Sequence, residues 1–336
     1  MPSATSTSKP KKFFRDGPVI IEMFAGSGRL TAALKACGVH SAFGVDHKKL
    51  SSIAPIMIAD LTTRAGQALF MTWMDTPNLA GIFAAPPCGT CSLARNIKIR
   101  GPKGNIISGP VPLRSPDFPE GFPNLTNTNL KRVLAANKLY DFLSKVVVKA
   151  TLRNLIVVIE NPRSSLFWLT KYFQKVKHLF SFVAHQACAY GSERPKWTAL
   201  AVNRQEFQSV NMTCPGLSKA HRHKPWGMVA PDKFATAEET AYPPQLAQAI
   251  ARAFTLALAS DGWKPPTATW DELRDNPSFA AMRAVAGRQP KASKPPPLVS
   301  EHQHIVSVLS FVELVQNPPC PVMGRIKTPM GCSQWF

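Results

Sequence analysis

Two thiols, Cys88 and Cys91, stand three positions apart in "AAPPCGTCSLAR" (84–95), directly behind paired prolines. Such a stretch can clip a metal, pack a turn, or hold a nucleophile rigidly at the end of a strand. A zinc clip needs further donors, and no second CxxC or neighbouring His pair accompanies this one. A nucleophile needs an activating or acidic partner. Glu160 in "VVIENP" ends an apolar run. A thiol and a carboxyl on adjacent strands can address two positions of one flat ring, the first by addition, the second as hydrogen-bond partner or proton source. A free thiol ionises near pH ~8.5, so Cys88 needs a cation or dipole to act as thiolate. Arg95, Arg163 and Lys196 are the neighbouring candidates.

Three more positions share this placement. In "FAGSG" (24–28) two glycines allow a tight turn and close backbone approach, and the helix after them offers free N–H groups. Asp46 ends a second apolar run, where a carboxylate can bind the two hydroxyls of a ribose. Asp60 ends a third, where it can meet an adenine amino group. Each acid alone is more often a helix cap; three signals at three successive strand ends are harder to dismiss.

The elements that must hold these residues alternate, which is the mark of an α/β fold. Strands are expected over 18–24, 41–46, 54–60, 79–85 and 154–160, with helices over 28–38, 128–150 and 164–176. Runs 180–186 and 197–203 form an antiparallel pair, and 236–260 gives an amphipathic helix capped near Thr240 and running from the paired prolines. In an open α/β sheet, ligands bind at the carboxyl ends of the strands. The connection 96–127 is long, basic and Gly/Pro-rich, which suits a lid carrying Arg95, Lys98, Arg100, Lys103 and Arg114. The organisation expected is a flexible basic segment 1–16, a domain over 17–262 with a short recognition region at 204–237, and a Pro/Lys-rich extension over 263–336.

With 336 residues, 45% of them apolar, the chain can bury a core without staples. Seven cysteines, an odd number, with no secretory stretch ahead of them, read as reduced thiols in an intracellular protein. No run approaches the roughly 18 apolar residues of a membrane span, so no membrane association is expected. Forty Lys and Arg against 20 Asp and Glu leave a formal charge of +20. A polyanion is the natural partner, against the blander reading of a generally basic surface.

The series "FAGSG", "GVD", "IAD", "PPC", "IENP", "YGSERPK", in this order, resembles the cytosine carbon-5 methyltransferases over about residues 18–260. The resemblance implies a Rossmann-like class I methyltransferase sheet and S-adenosyl-L-methionine as cofactor. It implies that Phe24, Ala25, Gly26, Ser27, Gly28, Asp46, Asp60 and Pro86 face that cofactor. Cys88 is then the nucleophile toward carbon 6 of a cytosine flipped out of duplex DNA. Glu160 is the ring contact, with Lys196 beside them. RNA as substrate and an impaired nucleic-acid-binding relative are the alternatives. "CAYGSERPKWTAL", "CPGLSKAHRHKPWG" and "AYPPQLAQAIARAF" are similar to blocks of a subgroup carried by eukaryotic retroelements, from which a nuclear location is expected.

Departures from the family pattern are Gly89 after the cysteine, Pro162 after Glu-Asn, and Lys196 and Thr198 in place of paired arginines. They bear on substrate positioning and rate more than on reaction type. Cys91 reads as a small packed residue. Cys214, His221 and His223 are potential zinc ligands without a fourth, and no metal is expected; a surface loop with DNA-contacting histidines is the preferred account.

Overall fold

The central strands form because their sequences are apolar without interruption, as parallel strands covered on both faces must be. The computed structural model describes residues 17–48, 51–97, 99–100, 106–107, 110–230 and 233–264. The expected segments 1–16 and, from 265 onward, the extension lie outside the described residues. "LAGIFA" makes β4 (Leu79–Ala84), buried along its whole length, and "IVVIENP" makes β5 (Ile156–Pro162). Beside them run β1 (Val19–Met23), β2 (Phe43–Asp46) and β3 (Ile56–Ile58), and beyond β5 lie β6 (Ser181–Gln186) and β7 (Trp197–Val202).

The seven strands lie in the order β3-β2-β1-β4-β5-β7-β6. Strands β3, β2, β1, β4 and β5 are mutually parallel, and β7 is antiparallel to both of its neighbours. This is the expected Rossmann-like sheet, mostly parallel with one antiparallel strand. The order reverses between β1 and β4, and that is where such sheets open a crevice for ligands.

Helices cover both faces. On one, α1 (Arg29–Ala36) and the last described helix, Pro244–Ser260, press Leu30, Leu34, Leu246, Ile250 and Phe254 against Ile20, Phe83, Ile156 and Leu200. On the other lie α2 (Arg64–Trp73) and α3 (Asn127–Leu152), joined by an edge-on contact of Phe70 with Phe142. Among the described residues no helix is long and apolar enough to cross a membrane.

Three boundaries differ from expectation. Helix α2 was not anticipated; of its residues only Gly66 and Phe70 are buried. The helix expected over 164–176 is broken at Thr170, whose extended backbone separates a 3-10 turn at Leu166–Leu169 from a single α-turn at Lys171–Gln174. The last helix, α4 (Pro244–Ser260), begins at its proline, which fits the first helical position because the N–H it lacks has no partner there. Thr240 is therefore not its cap; the Thr240 hydroxyl donates to the Ala237 carbonyl in a separate short turn.

Candidate active site

The turn after β1 is built from left-handed residues: Phe24 at φ 61°, Gly26 at 54° and Gly28 at 68°. For phenylalanine this conformation is strained, and such strain persists only where the surroundings fix it. Here the Ala25 N–H donates to the Val45 carbonyl, and the Gly26 N–H donates to Asp46 Oδ2 at 3.0 Å. Gly44 in β2 makes room for this approach, since a Cβ there would lie 2.6 Å from that of Ala25. Asp46 Oδ1 accepts the His47 N–H and meets the His47 ring, both at 2.7 Å.

The structure therefore brings Phe24, Ala25, Gly26, Ser27, Gly28 and Asp46 together. Asp60, exposed at the end of the next strand, has Oδ1 accepting the N–H and hydroxyl of Thr62 at 2.9 and 2.7 Å. Those bonds hold its carboxyl below the usual range.

Directly beneath the turn lies an acid the sequence reading missed. Glu22, only 2% exposed, accepts the N–H and hydroxyl of Thr31 through one oxygen, at 2.7 and 2.6 Å. Burial pushes its carboxyl up to about 7, against the pull of Thr31 and with a small push from Asp46. The signal was present as a charged residue inside "PVIIEMF".

At the end of β4 each proline carbonyl is claimed. Pro86 is buried and its carbonyl accepts from Asn161 Nδ2 at 3.0 Å; that of Pro87 accepts the Tyr140 hydroxyl at 2.6 Å. Cys91 is fully buried with its sulfur 3.3 Å from the Tyr140 oxygen, a packed residue as expected. Cys88 begins the following turn, its carbonyl accepting from the N–H groups of Cys91 and Ser92.

Cys88, Glu160 and Lys196 do converge. Burial pushes the Cys88 thiol up; the Lys196 ammonium pulls it down and Glu160 pushes it up again. Burial likewise raises Glu160, with Lys196 and a hydrogen bond from the Tyr242 hydroxyl to Oε2 at 3.2 Å opposing it. The other oxygen, Oε1, is buried without a hydrogen-bond partner among the described residues, as is Asn161 Oδ1.

Of the three cations considered for Cys88, Lys196 is the one that acts on it. Arg95 donates to the carbonyls of Gly89 and Val111, and Arg163 lies 4.7 Å over the Trp197 ring. Thr198 is buried inside β7 opposite Pro162.

Tyr242 was not foreseen as part of the site. Besides bonding Glu160 it packs edge-on against Phe83, and its carbonyl accepts from the Arg29 guanidinium at the start of α1. It thus joins the turn side of the crevice to the thiol side. Arg194, also missed, is buried and pairs with Glu238 and Glu239 at 3.1 and 3.3 Å. The Glu239 carbonyl in turn accepts from Lys196 Nζ at 3.2 Å.

Two expectations about basic and metal-binding residues change. Arg114, read as a surface charge of a closing lid, is 2% exposed and donates to Thr90, Asn137 and the Pro119 carbonyl, which pins the end of that connection to the body. Lys98, Lys103 and the glycines of the expected hinge (Gly101, Gly104 and Gly109) lie outside the described residues, and of Arg100 only the backbone is described. His221 and His223, read as DNA-contacting groups of a surface loop, turn their Nε2 atoms toward Cys214.

No family model and no curated protein matches the chain. Among solved structures, the chain is similar to a putative DNA modification methyltransferase encoded within an E. coli prophage, with 12% identity and a TM-score of 0.32 over 55% of this chain and 46% of that one. It is also similar to a variant of Spodoptera frugiperda DNMT2, with 12% identity and a TM-score of 0.32 over 80% of this chain and 99% of that one. The match thus spans less than half the length of the prophage protein. Neither similarity adds to what the sheet order itself shows.

Proposed function

We propose that the chain is a cytosine carbon-5 methyltransferase acting on duplex DNA through a covalent Cys88 adduct. One observation carries this reading: a buried carboxyl oxygen, Glu160 Oε1, has no partner among the described residues and belongs to the same charge-coupled group as a thiol and an ammonium. Buried polar atoms are nearly always satisfied, so an orphan of this kind marks a place where a polar ligand fits.

The residues of the turn fit the cofactor this reading requires. A Cβ at Gly26 would meet nothing within 4 Å, so there is open space against the backbone. Asp46 Oδ2, which accepts the Gly26 N–H, retains a second lone pair for a ribose hydroxyl. S-adenosyl-L-methionine held by residues 24–28 and Asp46 supplies the electrophilic methyl group.

On the base side, Cys88 as thiolate forms a bond to carbon 6, and the electrons of the 5,6 double bond move to carbon 5. Glu160 in its protonated form, which burial favours, donates to ring nitrogen 3 and so disperses the charge that develops there. After carbon 5 has taken the methyl group, loss of its proton returns the electrons. The sulfur–carbon bond then breaks, regenerating the thiolate. A target inside a duplex must swing out of the stack to reach a strand end, at a cost of a few kcal/mol. The charge of +20 favours a polyanion as the molecule that meets this site.

Tritiated methyl transfer from S-adenosyl-L-methionine to duplex DNA, with structured RNA in parallel, tests the reading. Duplex containing 5-fluorocytosine should trap a Cys88 adduct, because fluorine cannot leave as a proton. Transfer to RNA alone would move the substrate. Binding to DNA with neither transfer nor adduct would favour the impaired relative, a reading supported by the upward pull of burial on the Cys88 thiol.

A further inference from the structure

We propose that Cys188, Cys214, His221 and His223 hold one zinc ion that ties the recognition region to the end of β6. The four donors come from distant positions. Cys188 lies in the 3-10 turn after β6, and the other three lie in an irregular stretch after β7. Their ligand atoms all fall within 4.8 Å of one another.

The individual separations fit a common centre. With zinc–sulfur bonds near 2.3 Å and zinc–nitrogen bonds near 2.05 Å, a tetrahedral ion places sulfur and nitrogen about 3.6 Å apart and two nitrogens about 3.3 Å apart. Cys214 Sγ lies 3.4 Å from His221 Nε2 and 3.5 Å from His223 Nε2, and the two Nε2 atoms are 3.0 Å apart. The imidazole planes stand at 82°, so both rings aim the same nitrogen inward without stacking. The Gly216 N–H donates to Cys214 Sγ at 3.4 Å, the kind of outer contact that orients a metal-bound thiolate.

Ligand chemistry selects the ion. Two soft sulfurs and two imidazoles in a tetrahedral arrangement suit zinc, and four protein donors leave no open position for substrate, so the site is structural rather than catalytic. Both thiols give up their protons on binding, which matches the two positive charges of the ion and leaves the centre neutral.

The stretch also needs such a tie. Residues 211–225 form no regular element, and Leu217 is exposed. A few hydrogen bonds anchor the stretch, among them Gln186 N–H to the Met212 carbonyl, Cys214 N–H to Gln186 Oε1 and Lys224 N–H to the Glu193 carbonyl. The ion would fix Lys219, Arg222 and Lys224 in place on the same stretch.

The full chain, reconstituted with zinc and dialysed, is expected to retain one zinc per chain by elemental analysis and to release it when its thiols are blocked. Cobalt in its place should give the intense visible bands of a tetrahedral ion together with thiolate charge transfer. Cys188→Ser and His221→Ala should lose the metal to a chelating dye, whereas Cys37→Ser, a thiol at the end of α1, should keep it. A wild-type chain that retains no zinc, a cobalt spectrum of octahedral type without charge transfer, or zinc held equally by Cys188→Ser and Cys37→Ser would each overturn the proposal. The first two readings need no variant to fold.

Discussion

Replacing Glu22 by Gln should change how stability depends on pH, and the size of the change follows from the structure. The native carboxyl titrates at about 7, whereas its ordinary value is 4.5. Between those limits the native chain holds a proton that the unfolded chain has released, so stability falls as pH rises and the loss is complete above about 7. Crossing the whole window costs about 3 kcal/mol, most of it lost between pH 5 and 8. His185 acts in the opposite sense. It is fully buried, both ring nitrogens lack partners among the described residues, and burial with the Lys196 charge holds it down to about 3. Below its ordinary 6.5 the unfolded chain binds a proton that the native ring refuses, so stability falls as pH falls. The two slopes oppose one another between 4.5 and 6.5, and only that of Glu22 remains above. Urea unfolding followed by circular dichroism from pH 5 to 8 separates them. Glutamine keeps an oxygen for Thr31 and cannot ionise. Its stability relative to the wild type should therefore improve by about 2 to 3 kcal/mol over that range. Any constant cost of the extra amide cancels in the comparison. Parallel curves for the two proteins would refute the argument.

Three other outcomes are expected. Tyr242→Phe removes the hydrogen bond to Glu160, so it should cost about 1 kcal/mol in unfolding and extend methyl transfer to higher pH, because Glu160 then stays protonated further. Lys196→Met removes the cation that pulls Cys88 down, and alkylation of Cys88 at pH 8, read by mass spectrometry, should slow several-fold. Asp46→Ala should weaken S-adenosyl-L-methionine binding in calorimetric titration by about 1.5 kcal/mol or more, roughly tenfold, through lost ribose hydrogen bonds.

The parts of this fold that were legible in the sequence are those where burial leaves a continuous trace. Strands β4 and β5 are apolar at nearly every position, so their ends, and with them Cys88 and Glu160, could be placed by eye. Asp46 followed for the same reason. Thr170 broke a helix because a side chain that caps a following turn also ends the preceding one, and periodicity cannot see that choice. Arg114 looked like a member of a basic lid, since composition reports charge and not burial. Cys188 was invisible as a partner of Cys214, because the two meet only when β6 and β7 lie side by side. Tyr242 met Glu160 by the same route, across 82 residues.

The charges around Cys88 also explain how one site can hold an acid and a nucleophile together. Ionised Glu160 raises the Cys88 thiol, and Lys196 lowers both groups. Two anions beside one ammonium are disfavoured, and so are two neutral groups at alkaline pH, so over a range of pH the pair holds a single proton. Interacting groups of this kind titrate as a unit. The proton has two places to sit. With the proton on sulfur the pair is a thiol and a carboxylate; with the proton on Glu160 it is a thiolate and an acid, which is the form the proposed chemistry needs. The two forms carry the same net charge, so pH does not alter their ratio within that range. A polar ring that accepts a hydrogen bond from Glu160 favours the second form, because it stabilises the protonated carboxyl and leaves the thiolate beside Lys196. In the proposed reaction the nucleophile would thereby be produced mainly when the base is present, since burial otherwise favours the neutral thiol.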